Sequence, residues 1–315
     1  MKSVDELLRR ARYRTKNSNY SYDAAVGLYA AGISSELFLD AINDAQDRLQ
    51  SILIGTNSNL FIEKEEINLV GSQQDYTIND RVFGGTNIIA VQYNSNNNST
   101  DFGAPLRKAE PRDRISSTGT PGAYIPYSSK ISLCPIPDSS SGRIRAEYYR
   151  ELDDLDIRRG QLSAAPGAGA TIVLAAAPAP DQYQIENSDY ISISDRYGNV
   201  MMRNGLYLSY VAGTRTITLS ANVSTYLVGS YTLANLNGGF ITCGKFTTTH
   251  SKLPDICERY LRIYMQKRIM TSDDDSTSLE EDEELVRIEN DILSTYTNED
   301  RDVEDITILD DEIME

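Results

Sequence analysis

With 315 residues, 40% of them hydrophobic, the chain has apolar material for one large core or two ordinary ones. Its 46 acidic against 30 basic side chains give a net charge of −16, which argues against holding nucleic acid by clustered lysine and arginine; beside DNA such a surface repels. A single histidine, His250, and three scattered cysteines, Cys134, Cys243 and Cys257, exclude a multi-histidine metal centre and a disulfide framework, leaving thiols suited to a reducing cytoplasm.

The opening MKSVDELLRRARYR lacks the apolar run of a signal peptide, and no stretch of about 18 apolar residues exists to span a membrane. Residues 4–15 are predicted as a short helix carrying Arg9, Arg10, Arg12 and Arg14, either a phosphate or partner contact or a solvated helix end. Tyr20 to Ala31 reads as a second helix or a packed loop. A longer amphipathic helix follows, with Ser34 or Ser35 as N-cap and Gly55 as terminator. Phe38, Ala41, Ile42, Ala45, Leu49, Ile52 and Leu53 recur on one face, opposite Asp40, Asn43, Asp44, Asp47 and Arg48.

From Phe61 the period changes to that of strands. These are expected around Ile62 to Val70, at Gln74 to Ile78, and from Asn87 to Tyr93. The loop NSNNNST (residues 94–100) and the charged run Lys108, Glu110, Arg112, Asp113, Arg114 precede a stretch that reads as a β-meander. In it Thr118 to Gly122 has turn chemistry, Ala123 to Pro126 is a short strand, and Lys130 to Cys134 alternates with Ile131 and Leu133 on one face. Pro135 and Pro137 end that strand, Asp138 to Gly142 is a hairpin loop, and Arg143 to Arg150 alternates with Ile144, Ala146 and Tyr148 inward.

This order, TGTP, a tyrosine strand, a strand ending in CPIPD, then IRAEYYR, resembles the head-to-tail adaptor proteins of tailed bacteriophages, also called connector or tail tubular A-type proteins. The likeness is strongest over residues 116–155 and extends more weakly to the helical ends. It implies a structural protein of the virion neck, made in the host bacterial cytoplasm. It also implies a ring of about twelve copies beneath the portal, joined to a downstream tail or nozzle protein, with DNA passing through the lumen without specific binding.

Residues 161–246 differ in texture. Thr171 to Leu174, Tyr190 to Ser194, Val200 to Arg203, Leu206 to Val211, Arg215 to Leu219 and Tyr226 to Ala234 read as short strands, with a turn at Asp195 to Asn199 and a hairpin at Asn204-Gly205. Such strands suggest a small β-sandwich or barrel inserted before the final helices. Thr247 to Pro254 then returns the chain to helix. Ile256, Tyr260, Ile263, Tyr264 and Ile269 form one helical stripe, and Leu285, Ile288, Ile292 and Tyr296 a second. The acidic end keeps Val303, Ile306, Ile308, Leu309 and Ile313, which a purely solvating tail does not need; the resemblance implies a portal-docking arm, with a free tail as the alternative.

Catalytic chemistry is sparse. His250 sits in a polar linker as an exposed or structural residue, there is no P-loop or GxGxxG, and Asp153, Asp154 and Asp156 are ordinary in so acidic a chain. Asp273 to Glu284 places oxygens at calcium-loop spacing but puts Ser278 where that loop requires glycine. The expectation is an α+β protein that is not an enzyme and needs no cofactor or metal. Its predicted parts are N-terminal helices (1–55), a central antiparallel β core (56–160), an inserted β domain (161–246), C-terminal helices (247–298) and an acidic arm (299–315). The two helical ends form a bundle whose core includes Phe38, Ile42, Leu49, Tyr260, Ile263, Leu285, Ile288 and Ile292. The alternatives are a stopper, collar or tube protein, a receptor- or glycan-binding tail module working through the inserted β domain, or an enzyme of another kind.

Overall fold

The computed structural model describes residues 2–14, 22–23, 28–29, 35–56, 59–78, 81–96, 102–177, 189–271 and 282–296. It is mixed α/β and divides into two compact units: residues 53–152, and residues 1–52 with 153–315.

In residues 53–152 the strands are β1 (Ile62–Asn68), β2 (Asp75–Thr77), β3 (Ile88–Asn94), β4 (Arg107–Lys108), β5 (Ala123–Tyr127), β6 (Lys130–Cys134) and β7 (Arg143–Tyr149). They make a three-stranded sheet in the order β1-β7-β3 and a four-stranded sheet in the order β2-β6-β5-β4. Strand β7 is central to its sheet because its even positions, Ile144, Ala146 and Tyr148, are all buried while its odd positions are only half-buried. Together with Val91, Tyr124, Ile131 and Leu133 they form one core. The outward row of β7 is polar: Arg143 and Arg145 both pair with Glu66 across the strand, and both guanidinium groups lie over the ring of Phe102.

The structure corrects the meander. The β5–β6 hairpin and β7 belong to different sheets, so Asp138 to Gly142 is a crossover rather than a hairpin loop. Thr118–Gly119 is not a free turn but pairs in parallel with Ile136–Pro137. Strand β4 also pairs in parallel, with β5, so the sheets are not purely antiparallel. Periodicity finds strands but not partners, because the alternation of a strand is the same whichever sheet it joins.

In the other unit the strands are β8 (Gly160–Gln161), β9 (Thr171–Val173), β10 (Tyr190–Ser194), β11 (Val200–Val211), β12 (Thr216–Leu219) and β13 (Phe240–Cys243). They form one six-stranded sheet in the order β8-β13-β10-β11-β12-β9. The sheet rolls into a half-barrel whose edges are tied by an antiparallel bridge between Leu162 and Leu174. Its interior is apolar, with Ile172, Ile191, Ile193, Met202, Ile217 and Ile241 fully buried. Asn204-Gly205 is not a hairpin here. It lies inside the twelve-residue β11, where Arg203 and Asn204 are accommodated opposite one residue of β10 as a bulge. Asn204 takes the left-handed conformation (φ 56°) that a bulge needs and that asparagine tolerates, and its side-chain oxygen accepts the Phe246 N–H. Tyr226 to Ala234 is likewise not a strand; tight 3-10 turns at Val223–Tyr226 and Leu233–Leu236 flank it, and the strand lies further on at β13.

The same unit holds the helices α1 (Val4–Arg14), all but the last three residues of α2 (Ser35–Gly55), α3 (Glu258–Thr271) and α4 (residues 283–296). Tyr20 to Ala31 contributes no described helix: Tyr22–Asp23 pairs with Leu28–Tyr29 as a short antiparallel ladder. Thr247 to Ser251 is not a plain linker either. Thr247–Thr248 pairs in parallel with Asp154–Leu155, and His250 bridges Ser3, so the segment is a buried strand-like seam.

Candidate functional site

All eight apolar residues expected in the helical core are buried: Phe38, Ile42 and Leu49 on α2, Tyr260 and Ile263 on α3, and Leu285, Ile288 and Ile292 on α4. Ile256 departs from its stripe and is exposed. Among these apolar faces lies a charged group that periodicity does not reveal. Glu289 of α4 is buried, its two oxygens accept Nε and Nη2 of Arg48 on α2 at 2.7 and 3.3 Å, and its Oε1 also accepts the Tyr260 hydroxyl of α3 at 2.6 Å. Burial and the neighbouring Glu289 raise the Tyr260 hydroxyl well above its usual range. The carboxylate thus joins three helices, and its hydrogen bonds offset the cost of taking its charge out of water. Val303, Ile306, Ile308, Leu309 and Ile313, the expected docking residues, lie outside the described residues, as does most of the Asp273 to Glu284 run.

The seam at Thr247 to Ser251 is a second polar centre. From α2, Asn43 exchanges two hydrogen bonds with the Leu155 backbone (2.7 and 3.1 Å). Gln46 donates to the Asp153 carbonyl at 3.0 Å and accepts the Ser251 hydroxyl at 2.6 Å. Thr248 donates to the Gly198 carbonyl at 2.9 Å. Gly198 (φ 82°) passes so close that a Cβ there would stand 2.4 Å from Cβ of His250. His250 is therefore a structural residue, and burial, with Arg158 nearby, lowers its pKa from 6.5 to about 4. The carboxylates of the segment are engaged: Asp153 by Arg203 at 3.0 Å, and Asp156 by Arg159 and by the Cys243 N–H at 2.7 Å. The Cys243 thiol, pushed up to about 12 by burial and by Asp156, is no nucleophile at neutral pH. Among the described residues no group of three or more His, Cys, Asp or Glu could hold a metal ion, and no helix is long and apolar enough to cross a membrane.

The feature best suited to meeting a partner is a cluster of loops in residues 53–152. Three segments converge: 69–74, 110–121 and 135–142. Leu69 N–H donates to the Gly142 carbonyl, Ser72 N–H to that of Pro137, and Gln74 Nε2 to that of Ile115. Tyr76, buried beneath, donates its hydroxyl to the carbonyls of Val70 and Gln73. Arg114 pins the middle loop by bonding Gln74 Oε1 at 3.0 Å and Asp75 at 3.2 Å, while Ser132 donates to the same Asp75 at 2.6 Å. On this fixed base every residue from Glu110 to Thr118 is exposed, and Val70 (52%) and Ile115 (48%) present apolar side chains among the exposed serines 116, 117 and 139–141. Such a surface offers hydroxyls and apolar contact, which suits protein docking rather than bond chemistry.

The model of the SU10 adaptor protein family matches residues 2–221. The chain belongs to the SU10 adaptor protein family. The match agrees with the head-to-tail adaptor resemblance and takes in the whole loop cluster. It also covers most of residues 161–246, the segment the sequence sets apart as an insertion. No curated protein matches this family member. Its acidity proves to be local. Residues 272–315 hold 19 acidic and 2 basic side chains, which leaves 27 acidic and 28 basic in residues 1–271. The net charge of −16 therefore says nothing of a negative surface on the body of the adaptor.

Proposed function

We propose that this chain is a structural, non-enzymatic virion protein, the adaptor that joins the portal to the tail of a tailed phage as a ring of about twelve copies. Membership of the adaptor family over residues 2–221 carries this reading. The exposed loop cluster of residues 53–152, with Val70 and Ile115, supports it as a contact surface for a neighbouring copy or for the next tail component. Residues 299–315 serve as the portal-docking arm, through Val303, Ile306, Ile308, Leu309 and Ile313. DNA passes through the lumen without specific binding, since arginines such as Arg143, Arg145, Arg159 and Arg203 are committed to carboxylate partners within the chain. Mass photometry of the purified protein, alone and mixed with the portal ring of its own phage, tests the proposal. A monomer that adds a ring of copies to the portal is expected. A protein that never associates with the portal at any ratio overturns it and favours a separate binding module.

A further inference from the structure

The acidic end of the chain follows directly on its most basic pair of helices. α3 carries Arg259, Arg262, Lys267 and Arg268 against Glu258 alone, and α1 carries Arg9, Arg10, Arg12 and Arg14 against Asp5 and Glu6. The two helices run in parallel. Lys2 Nζ donates to Glu258 at 2.5 Å at one end, and Gln266 Nε2 donates to the Ala11 carbonyl at 3.5 Å further along. Two of the exposed cations of the pair are Arg9 and Arg259. Glu6 and Glu258 serve Arg10, Arg9 stays 65% exposed with Glu6 no nearer than 3.6 Å, and Arg259 is exposed with no ion pair among the described residues. One piece of the acidic run already sits on this surface: Lys267 of α3 donates to Asp282 and lies 3.3 Å from Glu284, at the start of α4.

We propose that the α1–α3 surface is a binding seat for an acidic peptide, and that its occupant is residues 297–315 of the same chain. Charge complementarity selects this occupant. Residues 297–315 hold Glu299, Asp300, Asp302, Glu304, Asp305, Asp310, Asp311, Glu312 and Glu315 against Arg301 alone. Reach permits it. α4 begins beside Lys267 and at Glu289 has reached Tyr260, so the segment after it leaves from the Arg259 end of α3, and its 19 residues, about 60 Å when extended, exceed the length of α3, about 21 Å. Ile256, 43% exposed and one turn before Arg259, gives the apolar residues of the segment a place to rest. A contact of this kind between exposed charges weakens as salt rises, so the seat holds the segment in the free subunit and yields it to a competing basic partner.

The test uses the full-length chain with a nitroxide on Thr307→Cys. The native thiols do not compete for the label at neutral pH: Cys134 is buried, and burial pushes Cys243 and Cys257 up to about 12. In low salt, paramagnetic broadening is expected on the amides of residues 9–11 and 259–268. It should be lost near 0.5 M salt, where screening acts over about 4 Å. It should also be lost in an Arg9→Glu/Arg259→Glu chain whose β11 amide shifts are unchanged, the sign that the variant is folded. Absence of broadening on both helices in low salt overturns the proposal. Broadening that passes undiminished to unlabelled copies in a mixed sample overturns the intrachain seat in favour of a second copy. Portal attachment, read separately by mass photometry, does not enter this result.

Discussion

Residues 53–152 and the unit formed by residues 1–52 with 153–315 are held together by different means. In the first, alternating strands bury apolar rows: Ile144, Ala146 and Tyr148 of β7 meet Val91, Ile131 and Leu133, and charge stays on the outer face, where Glu66 takes Arg143 and Arg145. In the second, the helices also bury apolar faces, but polar side chains inside make specific connections. Glu289 links Arg48 and Tyr260, and Gln46 and Asn43 hold the backbone of residues 153–155. An apolar row tolerates many partners. A buried carboxylate or amide is stable only when particular donors and acceptors surround it, so it fixes one arrangement of the elements that carry them.

Three measurements sharpen that contrast. Ile144→Ala leaves a cavity under the central strand of its sheet and should cost about 4 kcal/mol in residues 53–152, read by amide exchange on β7. A loss below about 1 kcal/mol would show that the row repacks easily and that alternation does not hold this unit. Glu289→Ala should cost about 3 kcal/mol, because Arg48 and the Tyr260 hydroxyl lose their shared acceptor, and α4 should show it first. If Glu289→Ala leaves α4 exchange unchanged, the buried charge does not set the position of that helix. The smallest effect concerns the seam. His250 is neutral in the folded chain down to about pH 4, whereas the unfolded chain takes up its proton near 6.5. The unfolded state thus binds more protons between those values, and stability from this residue is lost as pH falls through that window. His250→Gln should flatten that part of the pH profile, and a histidine that titrates near 6.5 in the folded protein would contradict its burial.

The loop cluster was only half legible. Gly119, Pro121, Pro135 and Pro137 mark turns in the sequence, and their order supports the family resemblance. The convergence of residues 69–74 on 110–121 and 135–142 is not marked, because it runs through backbone carbonyls that every residue has. The signal that could have found the polar seam was Gln46 itself, a glutamine one position along from the apolar Ala45 on the inner side of a helix. The Asn204-Gly205 pair misled for a physical reason: asparagine and glycine admit a positive φ equally well in a hairpin and in a bulge, and only the neighbouring strands decide between them.

By itself the sequence determined where most elements lie and which side of each is apolar. That is because helical and strand periodicities are local properties of backbone geometry. It also carried the adaptor resemblance, through the order of its turns. The tertiary structure alone decided that β7 leaves the hairpin before it for a second sheet, that strands β8 to β13 close into a half-barrel, and that Thr247 to Ser251 is interior. Those outcomes depend on which backbone and side-chain groups, far apart along the chain, satisfy one another out of water.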